Sequence, residues 1–371
     1  MTEHALNERG FLIAGGGTGG HVFPALALAG EIRRRRPGAS IVFVGTARGL
    51  ETTLVPNAGF PLELVRAKGL VGKGWRARLE GLVGLPFAFL DALRLLARHA
   101  PRAVVGVGGY ASGPLVATAW ARRIPTLIHE QNAIPGLTNR ILARLARRVA
   151  VGSARGAAAL PGAIVTGNPV RPAFFEIPSL VSRSKERRLR ILVVGGSQGA
   201  EILNRLMPGA LLRVAARGIA FDGVPQAGTG RAGELVAAYA KRGIAQDRTF
   251  VHEFLDDMAA AYASADLVVS RAGAMSVAEV AAAGRPALLV PFAAAAHGHQ
   301  EANGRALESE GAAVVVTEAE ATEESLASAV SSLLGDPLRL LTMGEAARRS
   351  ASAAPDAASR LCDLLFEVEA A

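Results

Sequence analysis

Short, largely apolar runs of four or five residues recur along the first half of the chain, and longer helical segments separate them. Phe11–Ala14, Ile41–Val44, Ala103–Val107 and Thr126–His129 are the four runs. Strands that are apolar at every position are typical of a parallel sheet covered by helices on both faces, whereas a half-exposed strand would alternate. The pattern therefore predicts an α/β domain with a parallel sheet.

The same order of elements begins again in the second half. Runs at Arg190–Val194, Leu267–Ser270 and Ala287–Val290 are each followed by a helical segment. The proline- and glycine-containing stretch from Gly167 to Pro172 lies between the two halves and is typical of a hinge. We therefore predict two Rossmann-like domains, over residues 1–168 and 169–354, and an amphipathic helix at about 355–371 that packs back on the first domain.

Glycine-rich turns follow three of the predicted strands. They are Gly15–Gly20, Gly108–Pro114 and Gly195–Ala200, and the first contains the spacing G-x-G-x-x-G. Glycine lets the backbone approach a phosphate closely, and the N-terminus of the next helix supplies N–H groups and a positive dipole end. A dinucleotide-binding site would also need a carboxylate after the second strand, but the chain there reads Val44-Gly45-Thr46. Three such turns, each at the carboxyl end of a strand, favour a shared cleft for a phosphate-containing ligand other than a dinucleotide.

Polar side chains adjacent to these turns are candidates for catalysis. His21 follows the first turn directly, where it is either a general base that titrates near neutral pH or a packing residue at a helix end. His129-Glu130-Gln131-Asn132 follows a strand but lacks the H-E-x-x-H spacing of a zinc site. Asp256 and Asp257 are adjacent, so they do not form a D-x-D metal–diphosphate motif. We therefore expect no metal and no cofactor. If the ligand carries a diphosphate, helix N-termini and basic side chains would neutralise its charge.

Charge is distributed unevenly over the 371 residues. Residues 1–168 contain 21 Lys and Arg against 8 Asp and Glu, a net charge of +13, whereas the remainder contains 20 against 24, a net charge of −4. A basic half predicts an anionic partner, although a general basic bias would leave the same trace. The one cysteine, Cys362, excludes a disulfide framework and favours a reducing cytoplasm. The start of the chain lacks the layout of a secretory signal.

Apolar residues surrounded by cations favour adsorption to an anionic membrane surface. The segment Leu79–Ala97 contains Glu80, Pro86, Asp91 and Arg94, so it is not expected to span a bilayer. Its apolar residues are flanked by lysines and arginines between positions 68 and 102, and Arg140, Arg144, Arg147 and Arg148 are spaced for one face of a second helix. An ordinary helix with a core-facing side is the alternative for each segment. Nucleic acid is not expected, because aromatic residues make up only 5% of the chain.

Seven segments together resemble one family. They are Gly15–Pro24 (GGGTGGHVFP), Gly108–Pro114 (GGYASGP), His129–Asn132 (HEQN), Gly167–Arg171 (GNPVR), Gly195–Ala200 (GGSQGA), Phe254–Ala263 (FLDDMAAAYA) and Arg271–Gly284 (RAGAMSVAEVAAAG). In this order and spacing they are similar to the MurG family of peptidoglycan N-acetylglucosaminyltransferases. The resemblance implies a GT-B fold, in which two Rossmann-like domains with parallel sheets face a central cleft, without an obligatory metal.

The resemblance also implies an inverting reaction. The 4-hydroxyl of the muramyl sugar in undecaprenyl-pyrophosphoryl-N-acetylmuramyl-pentapeptide (lipid I) attacks the anomeric carbon of UDP-N-acetylglucosamine, UDP leaves, and lipid II forms. The implied location is the cytoplasmic face of the bacterial plasma membrane, as a peripheral protein. The implied partners are this sugar donor, the undecaprenyl-linked acceptor, the anionic membrane surface and cell-wall synthesis proteins.

Individual roles follow from the positions that match the family motifs. His21 matches the general base. The substrate-binding positions implied by the resemblance are Thr18, Gly19, Gly20, Asn132, Arg171, Ser197, Leu255, Ala274, Met275, Ser276, Val277, Ala278, Glu279 and Gln300. Among these, Leu255 contacts uracil through its backbone, Glu279 binds the ribose and Gln300 reads the sugar hydroxyls. The segment Ala293–Gly298 departs from the family pattern, which leaves the sugar contacts there open.

Two other hypotheses remain open at this point. One keeps the fold and changes the chemistry, to another lipid glycosyltransferase or a nucleotide-sugar epimerase. The other is a non-catalytic nucleotide-binding module at the membrane. Turnover that depends on His21 would distinguish an enzyme from such a module.

Overall fold

A computed structural model describes residues 10–67, 75–180, 188–196, 199–244, 248–295, 298–350 and 354–370. The chain divides into two compact units. The first comprises Met1–Val170 with Ala353–Ala371, and the second comprises Arg171–Ser352. We call them the N-terminal and the C-terminal unit. Ser197, which the sequence analysis names as a substrate-binding position, lies outside the described residues, as do positions 296–297 of the segment Ala293–Gly298 and the lysines at positions 68 and 73.

The N-terminal unit contains a seven-stranded parallel sheet. Its strands are β1 (Phe11–Ala14), β2 (Ile41–Gly45), β3 (Leu62–Leu64), β4 (Ala103–Gly106), β5 (Thr126–Glu130), β6 (Arg148–Val151) and β7 (Ile164–Val165). Its helices are α1 (Gly19–Arg35), α2 (Glu51–Asn57), α3 (Trp75–His99), α4 (Ser112–Ala121), α5 (Leu137–Leu142) and α6 (Ala154–Ala159). The strand order is β3-β2-β1-β4-β5-β6-β7, which is that of a Rossmann domain.

The C-terminal unit contains a five-stranded parallel sheet. A 3₁₀ turn (Pro172–Phe174) precedes β8 (Leu189–Val194), β9 (Phe221–Gln226), β10 (Leu267–Ser270), β11 (Ala287–Leu289) and β12 (Ala313–Val315). The helices are α7 (Glu201–Ala216), α8 (Ala232–Lys241), α9 (Met258–Ser264), α10 (Ala274–Ala283), α11 (His299–Ser309), α12 (Glu323–Leu334) and α13 (Pro337–Arg349). The order β12-β11-β10-β8-β9 is the second common doubly wound arrangement.

Buried apolar strands explain why both sheets were predictable. Every residue of β1, β2, β4, β5 and β10 is buried, and all pairings between neighbouring strands are parallel. Helices cover both faces, so an apolar side chain is favourable at each strand position. The predicted fold class of two Rossmann-like parallel-sheet domains is confirmed.

The last helix, α14 (Ala357–Ala370), belongs to the N-terminal unit. Its apolar face, with Leu361 and Leu365 fully buried, lies in the same core cluster as Phe11 of β1. At its end, the carboxylate of Glu369 forms ion pairs of 2.5 Å with Arg36 and 2.6 Å with Arg102. The helix is thus fixed to the first sheet both by apolar burial and by charge.

The basic stripe expected on one helical face is not formed. Helix α5 ends at Leu142, and Arg148 is the first residue of β6. The backbone N–H of Arg147 donates to the carbonyl of Thr126 at 3.0 Å, because the chain here turns to pair with β5. The prediction that Arg140, Arg144, Arg147 and Arg148 share one face of a helix was therefore wrong.

Within the described part of the chain, no helix is both long and apolar enough to cross a bilayer.

Candidate active site

Each sheet has one point where the strand order reverses, and glycine turns follow the two strands at that point. In the N-terminal unit the reversal lies between β1 and β4, which lead into Gly15–Gly20 and Gly108–Pro114. In the C-terminal unit it lies between β8 and β10, which lead into Gly195–Ala200 and Arg271–Gly273. Ligands of open α/β sheets bind at such reversals, beyond the carboxyl ends of the strands. The topology therefore places the motif residues at the two expected binding edges.

The two glycine turns of the N-terminal unit pack directly on each other. Gly109 has a φ of +82°, and a Cβ there would lie 2.5 Å from the carbonyl oxygen of Gly16. The Ser112 hydroxyl joins the turns from below, since it lies 2.8 Å from the carbonyl oxygen of Ala14 and accepts the N–H of Gly108 at 3.1 Å. Backbone contact this close requires glycine, and it packs the two turns together at the carboxyl ends of β1 and β4.

Thr18, Gly19 and Gly20 form the N-terminus of α1. Thr18 is extended, with φ −129° and ψ 163°, and its carbonyl accepts the N–H groups of His21 at 3.1 Å and Val22 at 3.2 Å. The first N–H groups of a helix have no acceptor in their own helix and form an anion-binding end. These three residues can therefore donate to a phosphate oxygen.

His21 lies against the second turn with one ring nitrogen committed. Its Nδ1 is 3.2 Å from the carbonyl oxygen of Gly16. A carbonyl only accepts, so Nδ1 carries the proton and Nε2 of the neutral ring keeps its lone pair. A Cβ at Gly108, where φ is +99°, would lie 2.7 Å from Nε2, so the ring can pack this closely on the turn only because the residue is glycine.

Burial lowers the pKa of His21 from its usual value, and the negative charges of Glu130 and Glu51 oppose this effect. The imidazole is therefore neutral near pH 7, which is the form that accepts a proton. The structure thus gives His21 the tautomer and the protonation state of a general base.

Glu130 organises the segment that contains Asn132. The Glu130 carboxylate is buried; Oε1 accepts from the backbone N–H and from Nδ2 of Asn132, both at 2.9 Å. Oε2 accepts from the N–H of Gly136 at 3.0 Å and from Nδ2 of Asn139 at 2.9 Å. Four donors on one carboxylate fix the position of the Asn132 side chain at the edge of the sheet.

His129 has a structural role in the described residues. It is fully buried; its Nε2 donates to the carbonyl of Gly167 at 3.2 Å, and its Nδ1 accepts from Nε2 of Gln131 at 3.1 Å. Burial lowers the pKa of His129 to about 4, so the ring is neutral. Both ring nitrogens are engaged by groups of the protein itself, so His129 supports neighbouring segments of the sheet edge. The described residues contain no group of three or more His, Cys, Asp or Glu placed to hold a metal ion.

The C-terminal unit presents the N-terminus of α10 at its binding edge. Gly273 precedes the helix in an extended conformation, and its carbonyl accepts the N–H of Val277 at 2.9 Å. The first turn thus comprises Ala274, Met275 and Ser276, followed by Val277 and Ala278. A further buried group secures the other end of the helix, because the Arg285 guanidinium donates to the carbonyls of Ala283 and Tyr262 at 3.2 and 2.9 Å.

Glu279 lies one turn into α10 and pairs with Arg171. The two side chains are 3.7 Å apart, and that of Glu279 is 15% exposed. Burial raises the pKa of Glu279 to about 7, while Arg171 acts in the opposite direction. The buried Tyr262 lies close enough that Glu279 helps to raise the pKa of its phenol. Glu279 therefore titrates in the physiological range, at the edge where the helix presents its N–H groups.

Gln300 and Leu255 lie on other segments of the C-terminal unit. The Oε1 of Gln300 accepts the backbone N–H of Phe292 at 3.0 Å, which leaves its amide N–H groups as the donors for a ligand. The adjacent Ala293 N–H donates to Glu318 at 3.1 Å, and Glu318 forms a 2.5 Å ion pair with Arg271. Leu255 is half-buried in the segment before α9.

Several organising residues were not identified from sequence. Glu51, Arg285 and Glu318 are isolated polar residues outside the motif segments, and only their buried or paired positions in the fold reveal them. The catalytic and substrate-binding positions implied by the family resemblance fall into two groups, one in each unit. His21, Thr18–Gly20 and Asn132 lie in the N-terminal unit, and the remainder that the structure describes lie in the C-terminal unit.

Comparisons with known proteins agree with this arrangement. Residues 11–151 match the glycosyltransferase family 28 N-terminal domain and residues 190–361 match its C-terminal domain. A protein of Anaeromyxobacter sp. (strain K) is 46% identical over 359 residues, which cover 96% of this chain and 92% of that protein. A protein of Alkalilimnicola ehrlichii is 45% identical and covers 96% of this chain and 98% of its own length. Both are named UDP-N-acetylglucosamine–N-acetylmuramyl-(pentapeptide) pyrophosphoryl-undecaprenol N-acetylglucosamine transferase.

Solved structures show the same relationship. The crystal structure of Acinetobacter baumannii MurG is 33% identical, with a TM-score of 0.78 and coverage of 97% of this chain and 99% of that one. A UDP-GlcNAc 2-epimerase from Neisseria meningitidis has a TM-score of 0.67 at 13% identity, over 97% of this chain and all of that one. At that identity the epimerase shares the fold alone. The chain therefore belongs to the MurG family of glycosyltransferases.

Proposed function

We propose that this protein transfers N-acetylglucosamine from UDP-N-acetylglucosamine to the 4-hydroxyl of the muramyl sugar in undecaprenyl-pyrophosphoryl-N-acetylmuramyl-pentapeptide. The relatives that cover 96% of the chain carry the name of this activity. Within the site, the proposal is supported best by the state of His21. Its imidazole is neutral, and its Nε2 keeps a lone pair where the two glycine turns of the N-terminal unit meet.

In the proposed reaction the N-terminal unit binds the acceptor. The N–H groups of Thr18, Gly19 and Gly20 stabilise the acceptor diphosphate. His21 Nε2 takes the proton of the 4-hydroxyl while that oxygen forms a bond to the anomeric carbon. The bond between the anomeric carbon and UDP breaks, and UDP leaves with the electron pair. The result is an inverted, β-1,4-linked disaccharide on the lipid, with the proton on His21.

In the same proposal the C-terminal unit binds the donor. The N-terminal turn of α10, Ala274–Ala278, stabilises the charge that develops on UDP as it leaves, together with Ser197. Ionised Glu279 accepts hydrogen bonds from the ribose hydroxyls, and its neighbour Arg171 contributes positive charge. Leu255 contacts uracil through its backbone, while Gln300 and Asn132 contribute polar contacts to the donor.

Helix α3 supports a peripheral location at the cytoplasmic face of a bacterial plasma membrane. Phe87, Leu90 and Leu93 are 46%, 46% and 38% exposed, whereas Ala92 and Leu96 of the same helix face the core. Arg94 and Arg98 on its outer side are 73% and 67% exposed. Exposed apolar groups beside arginines bind anionic lipid by burial and charge together.

A transfer assay tests the catalytic proposal. Purified protein, UDP-N-acetylglucosamine and the lipid-linked muramyl acceptor should yield UDP and a disaccharide lipid in equal amounts. Omission of the acceptor should abolish UDP release. Formation of free N-acetylmannosamine would instead favour an epimerase, and UDP binding without any product would favour a non-catalytic module.

Vesicle flotation tests the membrane proposal. The protein should float with vesicles that contain anionic lipid, and the double variant Phe87→Ser/Leu90→Ser should bind about tenfold more weakly. Leu338→Ser is the matched control, because Leu338 is 71% exposed but lies in the C-terminal unit. Equal flotation of all three proteins would contradict the role of α3.

A further inference from the structure

Glu51 is a buried carboxylate beneath the first glycine turn. It is the first residue of α2, and its side chain has no exposed surface. Oε2 accepts the backbone N–H of Gly17 at 2.7 Å; Oε1 accepts the N–H of Thr46 at 2.9 Å and its hydroxyl at 3.0 Å. Three donors compensate the cost of burying the charge, so the carboxylate is held in one position.

Three glycines make room for this carboxylate. A Cβ at Gly16 would lie 2.2 Å from Oε1, and one at Gly49 would lie 1.8 Å from Oε2. A Cβ at Gly45 would lie 2.6 Å from the Cγ of Glu51. No side chain fits at any of these positions without displacing Glu51. The glycines of this region therefore accommodate a specific side chain as well as allowing the backbone to turn.

A single peptide group connects Glu51 to His21. The carbonyl oxygen of Gly16 accepts from Nδ1 of His21 at 3.2 Å, and the N–H of Gly17 donates to Glu51 at 2.7 Å. These two atoms belong to the same peptide group, so the hydrogen bonds run in series from the imidazole through the amide to the carboxylate. Hydrogen bonds in such a chain polarise one another and become stronger.

We propose that Glu51 is a positioning residue for His21 and that it acts through the Gly16–Gly17 peptide group. The negative charge strengthens the Gly16 carbonyl as an acceptor, which fixes the imidazole in the Nδ1–H tautomer with Nε2 as the base. It also stabilises the imidazolium formed when Nε2 takes the acceptor proton. A carboxylate bonded directly to a catalytic histidine does the same in hydrolases. This inference rests on the proposed role of His21 as the base.

The electrostatics are consistent with this arrangement. Glu51 and Glu130 both raise the pKa of His21, against the larger effect of burial, which lowers it. Glu130 is committed to Asn132, Gly136 and Asn139. Of the two carboxylates, Glu51 is the one whose hydrogen bonds lead to the ring.

Two variants perturb the connection by different means. In Glu51→Gln the amide has one acceptor oxygen, so either Gly17 or Thr46 faces an N–H₂ group instead. In Gly49→Ala the new methyl group displaces Oε2, while the charge remains. Thr46→Val is the matched control, because it removes only the hydroxyl donor to Oε1 and leaves both backbone bonds.

We expect kcat for transfer to fall about tenfold or more in both variants, since misplacement of a catalytic group has effects of this size. The control Thr46→Val should keep a KM for the donor and a midpoint of thermal unfolding close to those of wild type. Its kcat should stay within twofold of the wild-type value. In Glu51→Gln the acid limb of the pH profile should also move to lower pH, because a charge that stabilises the imidazolium is lost.

The decisive readout is the ¹⁵N spectrum of His21, assigned by its absence in His21→Ala among the seven histidines. The wild type should show one Nδ1–H tautomer, and Glu51→Gln and Gly49→Ala should show a mixture. If Glu51→Gln does not fold, Gly49→Ala alone decides. An unchanged tautomer in a folded variant, or kcat within twofold of wild type, overturns the proposal. If His21→Ala itself keeps full activity, the assignment of the base has failed instead.

Discussion

The two units contain similar sheets but stabilise their binding edges in different ways. In the N-terminal unit, buried carboxylates hold the segments that follow the strands through backbone N–H groups, as Glu51 does with Gly17 and Thr46. In the C-terminal unit, half-buried ion pairs border the edge, as Arg171 and Glu279 do at 3.7 Å. In the proposed mechanism, the first arrangement fixes the geometry of the base before substrate arrives. In the same proposal, the second leaves a carboxylate whose ionisation responds to pH and to the ligand.

This contrast suggests a division of labour. Preorganised groups favour the transition state because they need no rearrangement during the reaction. A largely buried carboxylate with a pKa near 7 can instead ionise when it gains hydrogen-bond donors from a ligand. Substitutions in the N-terminal unit should therefore affect turnover, and those in the C-terminal unit should affect donor affinity. The four predictions below test this difference, in order of decreasing effect.

His21→Ala should lower kcat about a thousandfold, because general-base catalysis contributes effects of this size. Steady-state transfer at saturating donor and acceptor measures the change. His252→Ala is the control, since His252 is an exposed histidine in the C-terminal unit, and it should retain full activity. A tenfold or smaller loss of kcat in His21→Ala would show that His21 is not the general base.

Buried His129 should make the N-terminal unit sensitive to acid. Its folded pKa of about 4 lies below the unfolded value of 6.5, so between these values the unfolded chain binds more protons. Stability should therefore be lost as the pH falls from 6.5 to 4, by about 3 kcal/mol from this group. Urea unfolding of wild type and His129→Gln over this range measures it. The variant should be less stable at pH 7 but lose less on acidification, and parallel curves would contradict the assignment.

Glu279→Gln should weaken UDP binding about thirtyfold, or about 2 kcal/mol, because hydrogen bonds to a charged acceptor are lost. At saturating donor, kcat should stay within about threefold of wild type. Titration calorimetry measures the affinity. Glu301→Gln, at an exposed glutamate of α11 in the same unit, should bind UDP normally. A large loss of kcat with unchanged affinity would reverse the proposed roles.

The affinity of the wild type for UDP should depend on pH. With a Glu279 pKa of about 7, the ionised form that accepts ribose hydroxyls dominates at pH 8 and is the minor form at pH 6. The dissociation constant should therefore be about tenfold larger at pH 6 than at pH 8. Calorimetry at both pH values should show this in the wild type and a much smaller change in Glu279→Gln. An equal pH dependence in both proteins would exclude Glu279 as its origin.

The central strands of both sheets were predictable because burial on both faces favours apolar side chains at most positions. The edges were not predictable in this way. Strand β9 contains Asp222, Gly223 and Pro225, and proline is confined to the edges of sheets. Strand β3 leaves Leu64 49% exposed. Edge strands lack a second neighbour and a fully covered face, so their sequences carry a weaker pattern.

Family resemblance predicts a set of site residues from motifs, but it does not predict the residues that support those motifs in the fold. Glu51 lies 34 positions from Gly17, and it reaches the glycine turn only because β1 pairs with β2. The prediction of a basic stripe on one helix was wrong for a related reason, because Arg148 pairs with β5 as the first residue of β6 and so lies outside the helix. In both cases a long-range strand pairing determines the position of a polar residue, and local spacing contains no trace of it.

The most direct test of this division of labour is the affinity for UDP, measured side by side in wild type, His21→Ala and Glu279→Gln at pH 8. We expect His21→Ala to bind UDP within twofold of wild type despite its about thousandfold lower kcat, and Glu279→Gln to bind UDP about thirtyfold more weakly. Equal weakening in the two variants, or weakening in His21→Ala alone, would rule out this division of labour.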